Sequence, residues 1–304
     1  MKKPGHRRRW VRGGVLAVML AVTALVVPNS AVNATGSALV KIKHAEGAET
    51  SPDVVWILAL GSDARRGQSV TRSRADAIQL VGINTKTNAA TSIGIPRDSW
   101  VGIPGHGSNR INSALYYGGP ELMADAVQGL VGIEPDYVMV TSFWGLTRMV
   151  DAIGGIHVDS KYAFSDPYLR KDGFKVGRQE LFGGGALAFS RIRKDLPGGD
   201  FDRSANQQRT LRGIHEKVRA EASSPGFLVS GAFSVLENME TSVPPDELFQ
   251  LGRMVAAVRA NRITNCVVPG STANIGGASV VLPSTSTARR YGDDARKDAV
   301  LSRC

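Results

Sequence analysis

"VVWILALGSDARRGQSVTRSRADAIQLVGIN", residues 54–84, decides the architecture. It opens on the unbroken apolar run 54–60, which reads as a buried central strand. A polar excursion follows, and 77–84 is a second strand. "ATSIGI" (90–95) makes a third, joined to the second by "TKTNA", which is short enough for a hairpin. The span 61–76 barely suffices for a parallel crossover, so strands one and two are also expected to be antiparallel.

Alternating strand direction has a chemical consequence. Asp63 lies just past the end of strand one, and Asp76 just before strand two. Strand three ends in "PRD", which delivers Arg97 and Asp98 to the same sheet edge. Carboxylates beside arginines suit magnesium bridging to phosphate, because magnesium takes one or two carboxylates plus phosphate oxygens and water. Guanidinium forks match phosphate bidentately. Surface salt bridges are the plainer alternative for any one excursion, but they leave the shared edge unexplained.

"SRIRKDLPGGDFDRSANQQR", 190–209, leads into a long helix predicted from 200 to 222. Charged runs of this kind are ordinarily solvated faces. Helical phase argues otherwise here. Leu211, Ile214 and Val218 mark the buried stripe, and stepping back along it gives Gln207, Arg203 and Asp200. An arginine on a core-facing stripe needs a partner or an anion. The helix amino terminus favours anions as well. Arg191 and Arg193, two apart in a segment read as extended, are expected to point the same way. Lys194, Asp202 and Arg209 are left as solvated charges.

Further helices are predicted at 119–133, 143–155, 228–239 and 246–260, with strands at 137–142, 156–159, 263–269 and 279–283. The fold class is α/β, a mixed central β-sheet flanked by helices on both faces. Met123, Val127, Leu130, Phe143 and Met149 are apolar at helical spacing, a pattern met more often in plain core than in a cavity wall.

The net charge of +10 is concentrated at the start, where Lys2, Lys3, Arg7, Arg8, Arg9 and Arg12 have no acid among them. That distribution argues against a nucleic-acid binder, which spreads its basic footprint over a folded face. The basic head at 1–12 instead precedes an apolar stretch, the order of a membrane-targeting segment. Residues 13–33 are expected to act as a signal anchor, single-pass, with the amino terminus cytoplasmic and the body outside. The apolar run 13–27 is short for a spanning helix, which needs roughly 20 residues, and "VNA" at 32–34 is a cleavage alternative that would yield a secreted protein. Residues 34–52 are expected to be a linker, 53–220 the catalytic core, and 221–304 helices and strands packing on it. Cys266 and Cys304 admit a disulfide or two separate thiols. No zinc spacing occurs among the cysteines and the five histidines.

The chain resembles the LytR-CpsA-Psr (LCP) family of extracytoplasmic cell-wall enzymes. The resemblance spans about residues 53–220 and rests on "LALGSDAR", "RADAIQLVGIN", "SIGIPRDSWVGIPG", "RINSALYYGGPEL", "VDAIGGIHVD" and "ALAFSRIRKDLPGGDFDRSANQQR". It implies an LCP-like fold and a phosphotransferase that moves a glycopolymer from a polyprenyl-pyrophosphate carrier onto a peptidoglycan sugar hydroxyl. It also implies Mg2+ at the diphosphate and an apolar cavity for the lipid. Carried over by motif, Asp63 and Asp76 would be the metal-associated carboxylates. Arg74, Arg97, Arg191, Arg193, Arg203 and Gln207 would contact the diphosphate, while Asp98 and Asp200 would orient arginines or act as base. The chain departs from many members by having Asn206 where they carry arginine, and Asp202 where they carry the glycine of "DFG". A polyprenyl-pyrophosphate phosphatase and a non-catalytic carrier-lipid binding module are the competing readings of the same site.

Overall fold

The computed structural model describes residues 36–45, 47–48 and 52–304. The basic head at 1–12 and the expected anchor at 13–33 lie outside the described residues. Among the described residues no helix is long and apolar enough to cross a membrane.

In chain order the strands and helices are β1 (Ser37–Lys41), β2 (Val54–Ser62), β3 (Ala75–Asn84), β4 (Ala90–Gly94), β5 (Trp100–Ile103), β6 (Gly107–Arg110), α1 (Ser113–Val131), β7 (Tyr137–Ser142), α2 (Phe143–Ala152), β8 (Ile156–Ser160), β9 (Phe164–Asp166), β10 (Arg170–Phe174), β11 (Gly177–Leu181), α3 (Gly183–Arg191), α4 (Asp200–Glu221), α5 (Phe227–Asn238), β12 (Glu240–Thr241), α6 (Pro245–Ala257), β13 (Ile263–Val267), β14 (Gly270–Ile275), β15 (Ala278–Pro283) and α7 (Thr285–Ala295). The central sheet has the order β12-β1-β7-β2-β3-β4-β13. β2 pairs antiparallel with β3, and β3 with β4, as the short connections require. β7 joins β2 in parallel, through the crossover that contains α1.

Strand alternation separates the two faces. Leu58, Leu60, Ile78, Leu80, Val138 and Val140 bury themselves in one cluster with Met123, Val127 and Leu130 of α1. These three methionine, valine and leucine side chains are therefore core. Val55 and Tyr137 point to the opposite face, where Leu248 and Leu251 of α6 cover them. α1 contains a kink at Gly119, whose φ of 73° precedes Pro120, so its first turn precedes the predicted start. α4 lies against the second face through polar contacts. Gln79 of β3 donates to the Ser204 hydroxyl at 3.1 Å, and Gln208 donates to the carbonyls of Ser92 and Cys266 at 3.2 and 2.8 Å. Gly94 permits this approach, since a Cβ there would stand 2.5 Å from Ser204 Oγ.

Two expectations are corrected. The expected linker 34–52 contributes β1, which sits inside the sheet between β7 and β12, its small apolar Ala38 fully buried. The stretch after 220 does more than pack on a finished core: β12 and β13 are strands of the central sheet itself. Between α2 and α4 two small β-pairings and α3 are organised around a second core of Phe164, Phe174 and Phe189. Cys266 of β13 and Cys304 form a disulfide with Cα atoms 5.3 Å apart, which fastens the C-terminal tail to the sheet.

Candidate functional site

The loop after β2 is closed by reciprocal hydrogen bonds. The Asp63 amide donates to the Arg74 carbonyl at 3.1 Å, and the Arg74 amide donates to Asp63 Oδ1 at 3.0 Å. This places Arg74 and Asp76 beside Asp63 at the sheet edge. Arg97, delivered by β4, pairs through Nη1 with Asp76 Oδ1 at 2.5 Å and approaches Asp98 Oδ2 through Nε at 3.6 Å. Asp98 also faces Arg110 Nε at 3.6 Å and Arg193 Nη1 at 3.9 Å. Arg193 lies equally far, 3.9 Å, from Asp200 Oδ1, and Asp200 holds Arg203 at 2.7 Å. The result is one continuous chain of alternating charge from Asp76 to Arg203. Burial works to lower the Arg97 pKa, but the charges of Asp76, Asp98 and Asp200 outweigh it and raise the pKa above its ordinary value. For the more deeply buried Arg203 desolvation wins over Asp200, helped by the positive charges of Arg97 and Arg193, and its pKa falls.

These groups border a cleft of about 590 Å³ lined by Asp63, Arg74, Asp76, Arg97, Asp98, Arg110, Asn112, Phe143, Trp144 and Arg191 among others. A smaller pocket of about 40 Å³ adjoins it and shares Asp76, Phe143 and Arg191. Its own wall adds Leu146, Leu187, Arg203 and Gln207. A polar cavity with several guanidinium groups thus continues into a small apolar one.

Of the residues singled out from sequence, Asp63, Arg74, Asp76, Arg97, Asp98 and Arg191 line the larger cleft. Arg191 is placed by a route other than the expected extended segment. It is the last residue of α3, and its guanidinium stacks 4.1 Å from the centre of the Phe143 ring. Arg193 follows in the loop, half exposed, and reaches the site through Asp98 and Asp200. Gln207 is buried with its amide group engaged: it donates to the carbonyls of Asp76 (3.4 Å) and Ser190 (3.3 Å) and accepts from Gln79 at 3.3 Å. It braces β3 and α3 from beneath the cleft. Sequence reasoning missed Arg110. The β5–β6 hairpin pairs it opposite Trp100, which returns it to the edge where Asp98 lies. The signal was the turn sequence "PGHG" between two short strands that begin right after "PRD".

The acidic residues suit a magnesium ion in part. Among the described residues no group of three or more His, Cys, Asp or Glu side chains forms a metal cage. Asp63 and Asp76 each commit one carboxylate oxygen to protein, to the Arg74 amide and to Arg97 respectively, which leaves the other for a cation. Two hard oxygens, with the remaining positions filled by phosphate and water, is a donor set magnesium accepts.

A model of the LytR_cpsA_psr family matches residues 23–297. The chain belongs to this family. It is 33% identical over 203 residues to Bacillus subtilis (strain 168) TagU, a polyisoprenyl-teichoic acid–peptidoglycan teichoic acid transferase, covering 66% of this chain and 63% of TagU. The match therefore spans less than two thirds of that relative's length. Among solved structures, Streptococcus agalactiae gbs0355 superposes with a TM-score of 0.71 at 25% identity, covering 84% of this chain and 91% of that one. TagT of B. subtilis, in the structure bound to LIIa-WTA, gives 0.67 at 25% identity, covering 81% and 91%. The mixed sheet with helices on both faces is the fold shared with these structures.

Proposed function

We propose that the protein moves a glycopolymer from a polyprenyl-pyrophosphate carrier onto a sugar hydroxyl of peptidoglycan, on the outer side of the membrane with 13–33 as anchor. The observation that carries this reading is the junction of the two cavities. An arginine-rich cleft opens, at Asp76, Phe143 and Arg191, into a pocket walled by Leu146 and Leu187. A diphosphate joined to a lipid has the same two halves. The activity named for TagU, transfer of a polyisoprenyl-linked teichoic acid to peptidoglycan, supports the same chemistry.

In the reaction the acceptor hydroxyl oxygen bonds to the phosphorus that carries the glycopolymer. The bond from that phosphorus to polyprenyl phosphate breaks, and the hydroxyl proton passes to a base or water. Phosphoryl transfer asks the protein chiefly for positioning and charge neutralisation. Arg74, Arg97, Arg110 and Arg191 supply the positive charge around the cleft, and Asp76 and Asp98 hold Arg97 in place. Asp98 is committed to three guanidinium groups, which suits an orienting role better than that of a base. Asp200 anchors Arg203 and draws Arg193 toward the site. Asp63 and Asp76 would hold Mg2+, which when bound would neutralise diphosphate charge.

Full-length protein with magnesium is expected to release polyprenyl phosphate from a polyprenyl-pyrophosphate glycan only as a peptidoglycan acceptor gains mass. Release without acceptor gain, even with native wall fragments present, would instead identify a phosphatase. Full wall-polymer attachment in cells carrying Arg97→Ala would identify a binding module.

A further inference from the structure

We propose that His106, Tyr116 and Tyr117 form an aromatic platform on the cleft rim that holds a sugar ring of the incoming acceptor glycan, an inference that rests on the transfer reading above. The His106 and Tyr117 rings stack with centroids 4.7 Å apart and planes 12° from parallel. Tyr116 meets Tyr117 edge-on at 5.8 Å. These rings are not core: Tyr116 is 59% exposed and Tyr117 37%. The central ring, Tyr117, is nevertheless fixed. Asn109 Nδ2 donates to the Tyr117 hydroxyl at 3.0 Å, and Arg72 Nη1 donates to the Tyr117 carbonyl at 3.1 Å. A rigid, exposed aromatic surface with amide and guanidinium donors at its border is what a pyranose requires. The C–H face of the sugar lies on the negative ring face, and its hydroxyls accept from the border.

The platform is continuous with the site. Asn112 lines the cleft and caps α1, and Tyr116 stands four residues on, in the first turn of that helix. His106 sits in the turn of the β5–β6 hairpin, at the end away from Trp100 and Arg110, and joins the helix through its stack on Tyr117. The occupant follows from the direction of the reaction. The leaving polyprenyl phosphate belongs with the apolar pocket of Leu146 and Leu187, whereas Arg110 and Asn112 line the polar cleft and not that pocket. In-line displacement brings the nucleophile from the side opposite the leaving group. The sugar presented there is the acceptor.

The test uses full-length protein in detergent and soluble, uncrosslinked peptidoglycan glycan strands. Tyr116→Ala is expected to raise the acceptor KM roughly tenfold and leave the donor KM and the melting temperature unchanged, while Tyr116→Trp restores acceptor use. An unchanged acceptor KM, or a donor KM that rises in step, overturns the platform. If the wild type transfers nothing, the transfer reading fails, and equilibrium binding of the same strands decides the platform separately. Binding lost in Tyr116→Ala and kept in Tyr116→Trp supports it, and equal binding by all three proteins overturns it.

Discussion

Arg203 and Asp200 meet at 2.7 Å at the start of α4, three residues apart, with both side chains almost closed to solvent. Removing one partner of such a pair strands the other charge in a poorly hydrated site. Asp200→Ala is expected to lower stability by about 3–5 kcal/mol, seen as a lower urea midpoint. The apolar double variant Asp200→Leu with Arg203→Met should recover most of that loss, because two well-packed apolar groups avoid the desolvation penalty. Transfer should stay absent in both. A double variant as unstable as the single one would show that the pair is not what the helix start depends on.

Gly94→Ala couples packing to the site. The added Cβ would stand 2.5 Å from Ser204 Oγ and 3.0 Å from Gln208 Nε2, so these side chains of α4 must give way and their hydrogen bonds to the sheet are disturbed. The expected cost is about 1–3 kcal/mol. Because α4 carries Asp200 and Arg203, transfer should fall more than the stability change explains, measured by kcat at a temperature where the variant remains folded.

Asp63→Asn tests the cation reading. The amide keeps an oxygen for the Arg74 backbone but loses the negative charge that a divalent ion needs. The magnesium concentration for half-maximal transfer should rise roughly tenfold, about 1.4 kcal/mol. Indifference to magnesium in the wild type would rule out both carboxylates as ligands.

His215 supplies a pH dependence of stability. It sits half-buried on α4, and burial lowers its pKa below the ordinary 6.5. The carbonyls of Val258 and Val255 and the charge of Glu216 oppose that shift, and Arg219 adds to it. A histidine with a depressed folded-state pKa binds fewer protons folded than unfolded. Its contribution is therefore fully present above pH 6.5 and is lost as the pH falls below that value. His215→Leu should flatten the decline in denaturation midpoint on the acid side of pH 6.5, while the midpoint at pH 8 changes little.

The Cys266–Cys304 disulfide closes a loop with a sequence separation of 38 residues. Reduction, or Cys304→Ser, is expected to cost about 2–4 kcal/mol. Equal denaturation midpoints with and without reductant would show that the buried Ala299 and Leu301 hold the tail unaided.

What the sequence determined by itself was local. Uninterrupted apolar runs and short connections imposed three antiparallel strands, and that alone brings Asp63, Asp76, Arg97 and Asp98 to one edge. Helical phase put Arg203 and Gln207 inside, although Leu211, Ile214 and Val218, which marked the stripe, are only partly buried. Tertiary structure decided what lacked a local signal. "SALVK" is too short and mild to announce a strand, yet partners on both sides hold it in the sheet. "GGGALAFSR" is rich in glycine and reads as loop, but Phe189 anchors it as a helix in the second core, and that helix aims Arg191 at Phe143. Arg110 enters the site only through hairpin pairing. The amide of Gln207 is claimed by backbone carbonyls of β3 and α3, which no pattern in its own helix could reveal. Periodicity reports which face a side chain occupies. Which atoms meet it there depends on how distant segments pack.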